Sequence, residues 1–408
     1  KHHHLPPLWY QRANMASSPP DTIKAQFLDA FNTPYNLRSV PLPKLTSPYD
    51  LLVRVDAASY CHTDAVLASG QMAPFPPSFP HISCHEFAGT VVSLPSHESC
   101  SDTKVPKYPI GTRLGIPGRA YHPCTTCAEC LSSPSPSSLS SLDYDPPGYS
   151  VYCPHALNLG ISAPGGFAQY ALADSRQVAP LPDEISAVDG AALMCAGLTI
   201  YAALKKCGLR EGQRVGIMGC GGGLGHLGVI FAVKMGLRVV GVENSEGGLE
   251  VARGVVKKLN KGKEEKGEVR IVDARVEGWE VVKDSLGRED GKTEKGEMGV
   301  HAVVTLPESQ AAFEYGMGLL RNRGKCVVVS FPEKGFNFSA RDVVFRDVQI
   351  VGSLVGSNRM LREMLAFAAE HKIRPRVRTF PLGKLNELVE EYHKGGGGKL
   401  VVDMHLEE

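Results

Sequence analysis

The stretch Val215-Gly216-Ile217-Met218-Gly219-Cys220-Gly221-Gly222-Gly223-Leu224-Gly225-His226-Leu227-Gly228 decides the fold. A short apolar run ends in a glycine cluster, and an apolar helical pattern from Leu224 to Met235 follows. G-x-G-x-x-G carries weight only in this strand, turn and helix setting, where free N–H groups at a helix start receive a pyrophosphate. The pattern fits without error only at Gly223, Gly225 and Gly228. The register ending at Gly225 puts Cys220 where the first glycine belongs. It also places Gly222 for close backbone approach and Gly225 at the helix start, and is preferred for that reason. Gly219, Gly223 and Leu224 complete the predicted turn. Val239–Val242 reads as the next strand, and Glu243 closes it 18 residues after Gly225. A carboxylate there accepts from both ribose hydroxyls of an adenosine and repels a 2′-phosphate. Asn244 to Gly248 supplies no Lys or Arg to hold that phosphate, so the site is predicted to prefer NAD(H) over NADP(H).

Working outward, Val269–Val272, Ala302–Leu306, Cys326–Phe331 and Gln349–Val351 are further buried-strand patterns with helical stretches between them. Such alternation predicts an α/β unit with a parallel, doubly wound sheet. Two Lys/Glu/Gly-rich stretches, Lys257–Glu268 and Arg288–Glu297, read as solvated loops. Upstream, from Thr22 to Pro182, the runs are short and β-like. They are Ile23–Phe27, Leu51–Val55, Phe87–Leu94, Gly111–Ile116 and Phe167–Ala173, separated by Pro and Gly clusters, and they predict a barrel-like domain with long loops. Ser132–Ser141 is a Ser/Pro-rich tract read as a mobile insertion. After Ser357, Leu361, Leu365 and Ala368 repeat at helical spacing, as do Leu385, Leu388, Val389 and Tyr392. Gly395 to Gly398 then leads into a strand, Lys399–Asp403. The predicted division is a catalytic unit of 15–194 and 357–408, with an insertion at 131–152, and a nucleotide-binding unit of 195–356. The histidine run before 14 reads as the remnant of an expression tag, with Met15 as the natural start.

The 408 residues are 43% hydrophobic and 21% charged, a globular composition. Lys plus Arg number 44 against 43 Asp plus Glu, giving a formal net charge of +1. That balance removes the electrostatic reason for binding nucleic acid or an acidic membrane. The longest apolar tract, Val215–Val242, is broken by His226, Lys234 and Arg238 and does not suit a bilayer span. Eleven cysteines cannot all pair within the chain, and a chain of this size has no need of disulfide stapling. A cytoplasmic protein is the expectation.

Cys124, Cys127 and Cys130 stand within seven residues, with Cys153 beyond. Two-residue gaps let successive thiolates turn onto one ion, and four thiolates close a tetrahedral structural zinc site. Cys61, His85 and Cys195 are scattered, and spacing alone does not group them. Two thiolates and one imidazole would nevertheless hold a zinc ion with its fourth position open to substrate.

Taken together and in this order, Cys61-His62-Thr63-Asp64, His85-Glu86, the four-cysteine lobe, Cys195-Ala196-Gly197-Leu198-Thr199, the glycine turn and Ile350-Val351-Gly352-Ser353 resemble the zinc-dependent medium-chain alcohol dehydrogenases. The wording is closest to their microbial NAD-linked branch. The resemblance implies a GroES-like β-barrel catalytic domain beside a Rossmann domain, with two Zn2+ per chain. It implies that Cys61, His85 and Cys195 hold the catalytic zinc, that Glu86 sits behind it, and that Asp64 orients His85. Thr63 would bond the substrate oxygen and start a proton relay. His62 and Lys399 would contact the pyrophosphate, with Thr199 and Ser330 near the rest of the cofactor. A homodimer or homotetramer is implied as well.

Three departures stand out. The histidine expected two residues after Asp64 is Val66. Cys84 replaces the glycine before the zinc histidine. The rings of a small-alcohol pocket are missing, since Met72 lies where one tryptophan belongs and Gly118-Arg119 offers no replacement; Phe331 is the remaining candidate for a pocket wall. The expected reaction is hydride transfer between NAD(H) and an alcohol, aldehyde or ketone, favouring carbonyl reduction of a larger or specialised metabolite. Reduction of a conjugated C=C or C=N bond is the alternative enzyme reading, and a non-catalytic NAD-binding zinc scaffold is the alternative of another class.

Overall fold

The computed structural model describes residues 19–95, 108–131, 150–260 and 268–407. The tag-like start, Met15 and the Ser132–Ser141 tract lie outside them. Strands β1 (Thr22–Leu28) and β2 (Tyr35–Pro41) form an antiparallel pair. The main sheet of the first unit uses β3 (Asp50–Tyr60), β4 (Glu86–Ser93), β5 (Arg113–Pro117), β6 (Tyr170–Asp174) and β7 (Ala179–Pro180), joined by β14 (Val377–Phe380) and β15 (Lys399–Asp403). Its order is β14-β15-β3-β4-β5-β7, with β6 also on β3.

Three strand ends meet there. β3 and β4 pair antiparallel with Ala58 opposite Phe87, so the end of β3 lies beside the start of β4. β15 pairs antiparallel with β3, Leu400 opposite Tyr60, which returns Lys399 to the same place. Cys61 follows β3 directly, and His85 directly precedes β4.

The second sheet contains β8 (Arg214–Met218), β9 (Arg238–Glu243), β10 (Val269–Asp273), β11 (Val300–Thr305), β12 (Leu320–Val328) and β13 (Gln349–Gly352). It is parallel, in the order β10-β9-β8-β11-β12-β13. This is a doubly wound sheet whose order reverses at β8, where ligands sit beyond the carboxyl ends of the strands. Every residue of β8 is buried, as expected for a strand covered on both faces.

The expected strand Cys326–Phe331 lies further upstream, ending at Val328. The stretch read as a loop from Lys257 begins as helix, because the helix Glu246–Leu259 continues into it; Arg288 likewise lies in the last turn of a helix, Trp279–Glu289. In both cases apolar residues spaced at 3.6 keep the helix packed beneath its charged face.

Among the helices, α1 (His62–Ser69) opens beneath Cys61. Helix α2 runs Ala187–Cys207 with a π turn at Leu193–Gly197, and so crosses the predicted 194/195 division. It is the one described helix long and apolar enough for a bilayer, and 78% of its apolar window is buried inside the protein. Helices α3 (Gly225–Lys234) and α4 (Glu246–Leu259) follow β8 and β9. The later helices Asn358–Glu370 (α5) and Leu385–His393 (α6) bury the apolar stripes their spacing predicted. Met360, Leu361, Met364 and Leu365 of α5 join the core that α2, β8 and α3 share.

Candidate active site and metal centres

Asp64 organises the first cluster. Its carboxylate accepts from the Cys61 N–H at 2.9 Å and from the Cys84 N–H at 3.1 Å, and it lies 3.6 Å from His85 Nδ1. Helix cap, strand start and imidazole are therefore fixed by one buried carboxylate. Cys195 arrives from the π turn of α2, a local widening that frequently marks functional positions. Its Sγ lies 4.0 Å from Cys61 Sγ, and the ligand atoms of Cys61, His85 and Cys195 all fall within 4.8 Å of one another. Thr63 Oγ1 stands 3.9 Å from Cys61 Sγ, and Thr199 Oγ1 stands 4.0 Å from Cys195 Sγ.

Cys84 adopts φ +81°, in the left-handed region, and is fully buried. That conformation accounts for the glycine expected there. Its thiol donates to the carbonyls of Glu86 and Ser59, at 3.3 and 3.5 Å.

Glu86 lies behind the cluster. Its Oε2 accepts from the N–H groups of Cys195 and Ala196 at 3.3 and 3.4 Å, and its other oxygen pairs with Lys399, which also donates to the Tyr60 carbonyl at 2.8 Å. Burial raises Glu86 to about 7 against the pull of Lys399. Contact with Cys195, helped by the Lys399 charge, draws Cys61 well below the usual thiol range, while the same contact pushes Cys195 up. A divalent cation fits this set, because the donors are two sulfurs and an imidazole whose Nδ1 is turned to Asp64, and the ligand atoms converge.

Cys124, Cys127, Cys130 and Cys153 also converge within 4.8 Å. Backbone N–H groups aim at sulfur, from Cys124 to Cys153 Sγ and from Cys127 to Cys124 Sγ, each at 3.3 Å. The Thr126 N–H, chief among the local donors, brings Cys124 down to about 5. Four thiols with such donors fit a zinc ion with no open position.

A cleft of 390 Å³ connects the first cluster with the glycine turn. It is lined by Tyr60, Cys61, His62, Gly222, Gly223, Leu224 and Lys399, among others. Gly225 starts α3, and a Cβ there would meet Gly219 O at 1.9 Å, so only glycine fits. A Cβ on Gly222 would meet nothing closer than 3.4 Å, which leaves its backbone open. The buried His226 fastens the turn, with Nδ1 on the Gly222 carbonyl at 2.9 Å and Nε2 accepting from the Arg376 N–H at 3.0 Å.

Beyond Gly219, Glu243 borders a second cavity of 270 Å³. Its carboxylate already accepts from Gly221 N–H, Asn244 N–H, Ser245 N–H and Ser245 Oγ, at 3.0 to 3.2 Å. Arg275 lines the same cavity, a cation the sequence reading overlooked, but Asp273 and Glu246 neutralise it.

His62 was also placed without its partners: Nδ1 meets Tyr392 OH at 2.8 Å, and Nε2 lies 3.5 Å from Glu308. Arg378 lines the cleft as well, paired with Glu391. Only pairing of β14 with β15 brings Arg378 there, so no local signal in the sequence announced it. Ser330 donates to the Pro307 carbonyl at 3.0 Å, Met72 is half-buried, and Phe331 is 63% exposed.

Comparison with known proteins agrees with this arrangement. Residues 47–183 match the family described as alcohol dehydrogenase GroES-like domain, and 223–370 match zinc-binding dehydrogenase. An alcohol dehydrogenase of Geobacillus stearothermophilus is 32% identical over 94% of this chain and 99% of its own. Alcohol dehydrogenase 1 of Neurospora crassa is 30% identical over 94% and 98%. The crystal structure of the alcohol dehydrogenase from Aeropyrum pernix superposes with a TM-score of 0.73 at 26% identity, covering 93% of this chain and 99% of that one. These likenesses favour an oxidoreductase over the scaffold reading, and do not favour C=C or C=N reduction.

Proposed function

The chain belongs to the zinc-dependent medium-chain alcohol dehydrogenases, and we propose that it transfers hydride between NAD(H) and an alcohol or its carbonyl partner, with carbonyl reduction of a substrate larger than ethanol as its working direction. The observation that carries this is the single cleft lined at once by Cys61, His62 and the Gly222–Gly223 turn. Zinc held by Cys61, His85 and Cys195 would supply polarisation of the substrate oxygen, lowering an alcohol's pKa from about 16 towards about 7, and bound NAD(H) would supply the hydride donor or acceptor.

The chain's own residues do the rest. Asp64 holds His85 in orientation. Thr63 Oγ1 gives its proton to the forming alcohol, or takes one from it. Glu86 and Lys399 hold the Cys195 turn from behind, since the Lys399 ammonium is taken up by Glu86 and the Tyr60 carbonyl, and His62 faces the phosphates. Val66 cannot pass a proton onward, so release to solvent through Thr63 is the slow step of alcohol oxidation near neutrality.

Glu243 selects NAD(H) by accepting from the adenosine ribose in exchange for a local donor such as Ser245 Oγ. A homodimer or homotetramer in the cytoplasm, with one catalytic and one structural zinc per chain, completes the assignment. Steady-state assays of aldehydes and ketones with NADH and NADPH test it. Turnover with NADH, and a NADH preference reduced roughly tenfold or more in Glu243→Ala, is expected. Turnover of enones or iminium ions alone would overturn the assignment.

A further inference from the structure

A second groove, of 480 Å³, opens where α3, α4 and segment 371–376 meet. It shares no lining residue with the active-site cleft. Its floor is apolar, with Val255, Leu259 and Ile373 only 6%, 8% and 1% exposed. Its rim carries Lys234, Lys258, Lys372, Arg374 and Arg376, and none of the described residues lining it is a carboxylate. Asp189 lies 3.6 Å from Arg374 and Glu250 lies 4.0 Å from Arg376. Lys258 and Lys372 are exposed and have no ion pair among the described residues.

Lys234 and Lys258 sit in the last turns of α3 and α4, where cations complement the helix dipole. Lys372, Arg374 and Arg376 lie outside any helix, and of the three Arg374 is held in place by Asp189 and by the Ile373 and Glu184 carbonyls. With Arg374 so engaged, Lys258, Lys372 and, beyond its 4.0 Å approach to Glu250, Arg376 face the apolar floor, an arrangement complementary to an anion with a hydrocarbon body.

We propose that this groove binds a medium-length aliphatic carboxylate, its chain laid on Val255, Leu259 and Ile373 and its head group held by Lys258, Lys372 and Arg376. Charge-assisted contacts to the carboxylate give orientation, and the buried floor gives chain-length preference. The assignment is independent of the redox chemistry, because the two cavities are separate.

Calorimetric titration of the full chain with decanoate tests it. One saturable site per chain is expected, with affinity falling roughly tenfold or more in the Lys258→Glu/Lys372→Glu double variant. Gly254→Leu fills the groove by another route and is expected to give a similar loss. A Cβ on Gly254 meets only Arg376 Nη1, at 3.6 Å, so α4 accommodates the new side chain. Decanol and inorganic sulfate are expected to bind far more weakly than decanoate, and saturating NADH to leave its affinity unchanged. The proposal is overturned by an absence of saturable binding, by affinity indifferent to both variants, by displacement with NADH, or by sulfate binding as well as decanoate.

Discussion

The loop thiols Cys124, Cys127, Cys130 and Cys153 and the buried set Cys61, His85 and Cys195 both gather their donors within 4.8 Å, but they reach that distance by different routes. Three of the loop thiols come from one short segment, and the backbone N–H groups of that segment point at their sulfurs. The buried donors come from a helix cap, the residue before a strand and a π turn, and the carboxylate that opens that same strand, with a lysine from β15, holds them in place. The first arrangement is saturated by its own residues and suits holding a loop. The second keeps one side free and opens on the cleft with the glycine turn, which suits chemistry.

The two clusters therefore fail differently. Cys195→Ala should lower turnover by roughly a thousandfold or more, because loss of metal polarisation costs several kcal/mol of transition-state stabilisation, while the melting temperature changes little. Steady-state kinetics beside calorimetry reads both. Cys127→Ser should do the reverse, reducing stability by about 3 kcal/mol or more while turnover of the folded enzyme at low temperature stays within a few-fold. Equal loss of activity and stability in both variants would erase the distinction.

A pH signature separates the nucleotide side from either cluster. Burial lowers His226 to about 4, so between about pH 6.5 and 4 the unfolded chain takes up a proton that the folded chain refuses. Stability should therefore fall as pH drops through that window, by up to about 3 kcal/mol, and the loss should level off below it. Denaturant titrations of wild type and His226→Asn measure the difference in slope. Val66→His sharpens the account of the buried cluster alone: alcohol oxidation near neutrality should rise roughly 10- to 100-fold, with a flatter pH profile. Smallest of all, Cys84→Gly should alter stability by only about 1 kcal/mol or less, because relief at φ +81° offsets the lost side chain.

The same contrast governs what could be read before the fold was known. The Cys124–Cys130 spacing is local chemistry and was legible from the residues. Cys61, His85 and Cys195 lie 24 and then 110 residues apart; only their resemblance to a known family joined them, and the antiparallel β3–β4 pairing and the π turn then supply the physical reason. The second sheet was visible because its central strands β8, β9 and β11 are almost wholly buried and read as apolar runs. Strand β2 was not, since Tyr35–Pro41 is largely exposed and mixed in character and is held by its pairing with β1. Tyr392 reads as one more apolar position on a helix, yet its hydroxyl meets His62. Glu308, Arg275 and Arg378 are charged residues in ordinary surroundings whose places are set by distant pairing.

Metal analysis of freshly purified wild type, with His85→Ala and Cys127→Ser run alongside, tests the central claim most directly. Two zinc ions per chain are predicted for wild type and one for each variant, with turnover vanishing only where His85 is gone. Full turnover in a His85→Ala protein carrying a single zinc ion would contradict it.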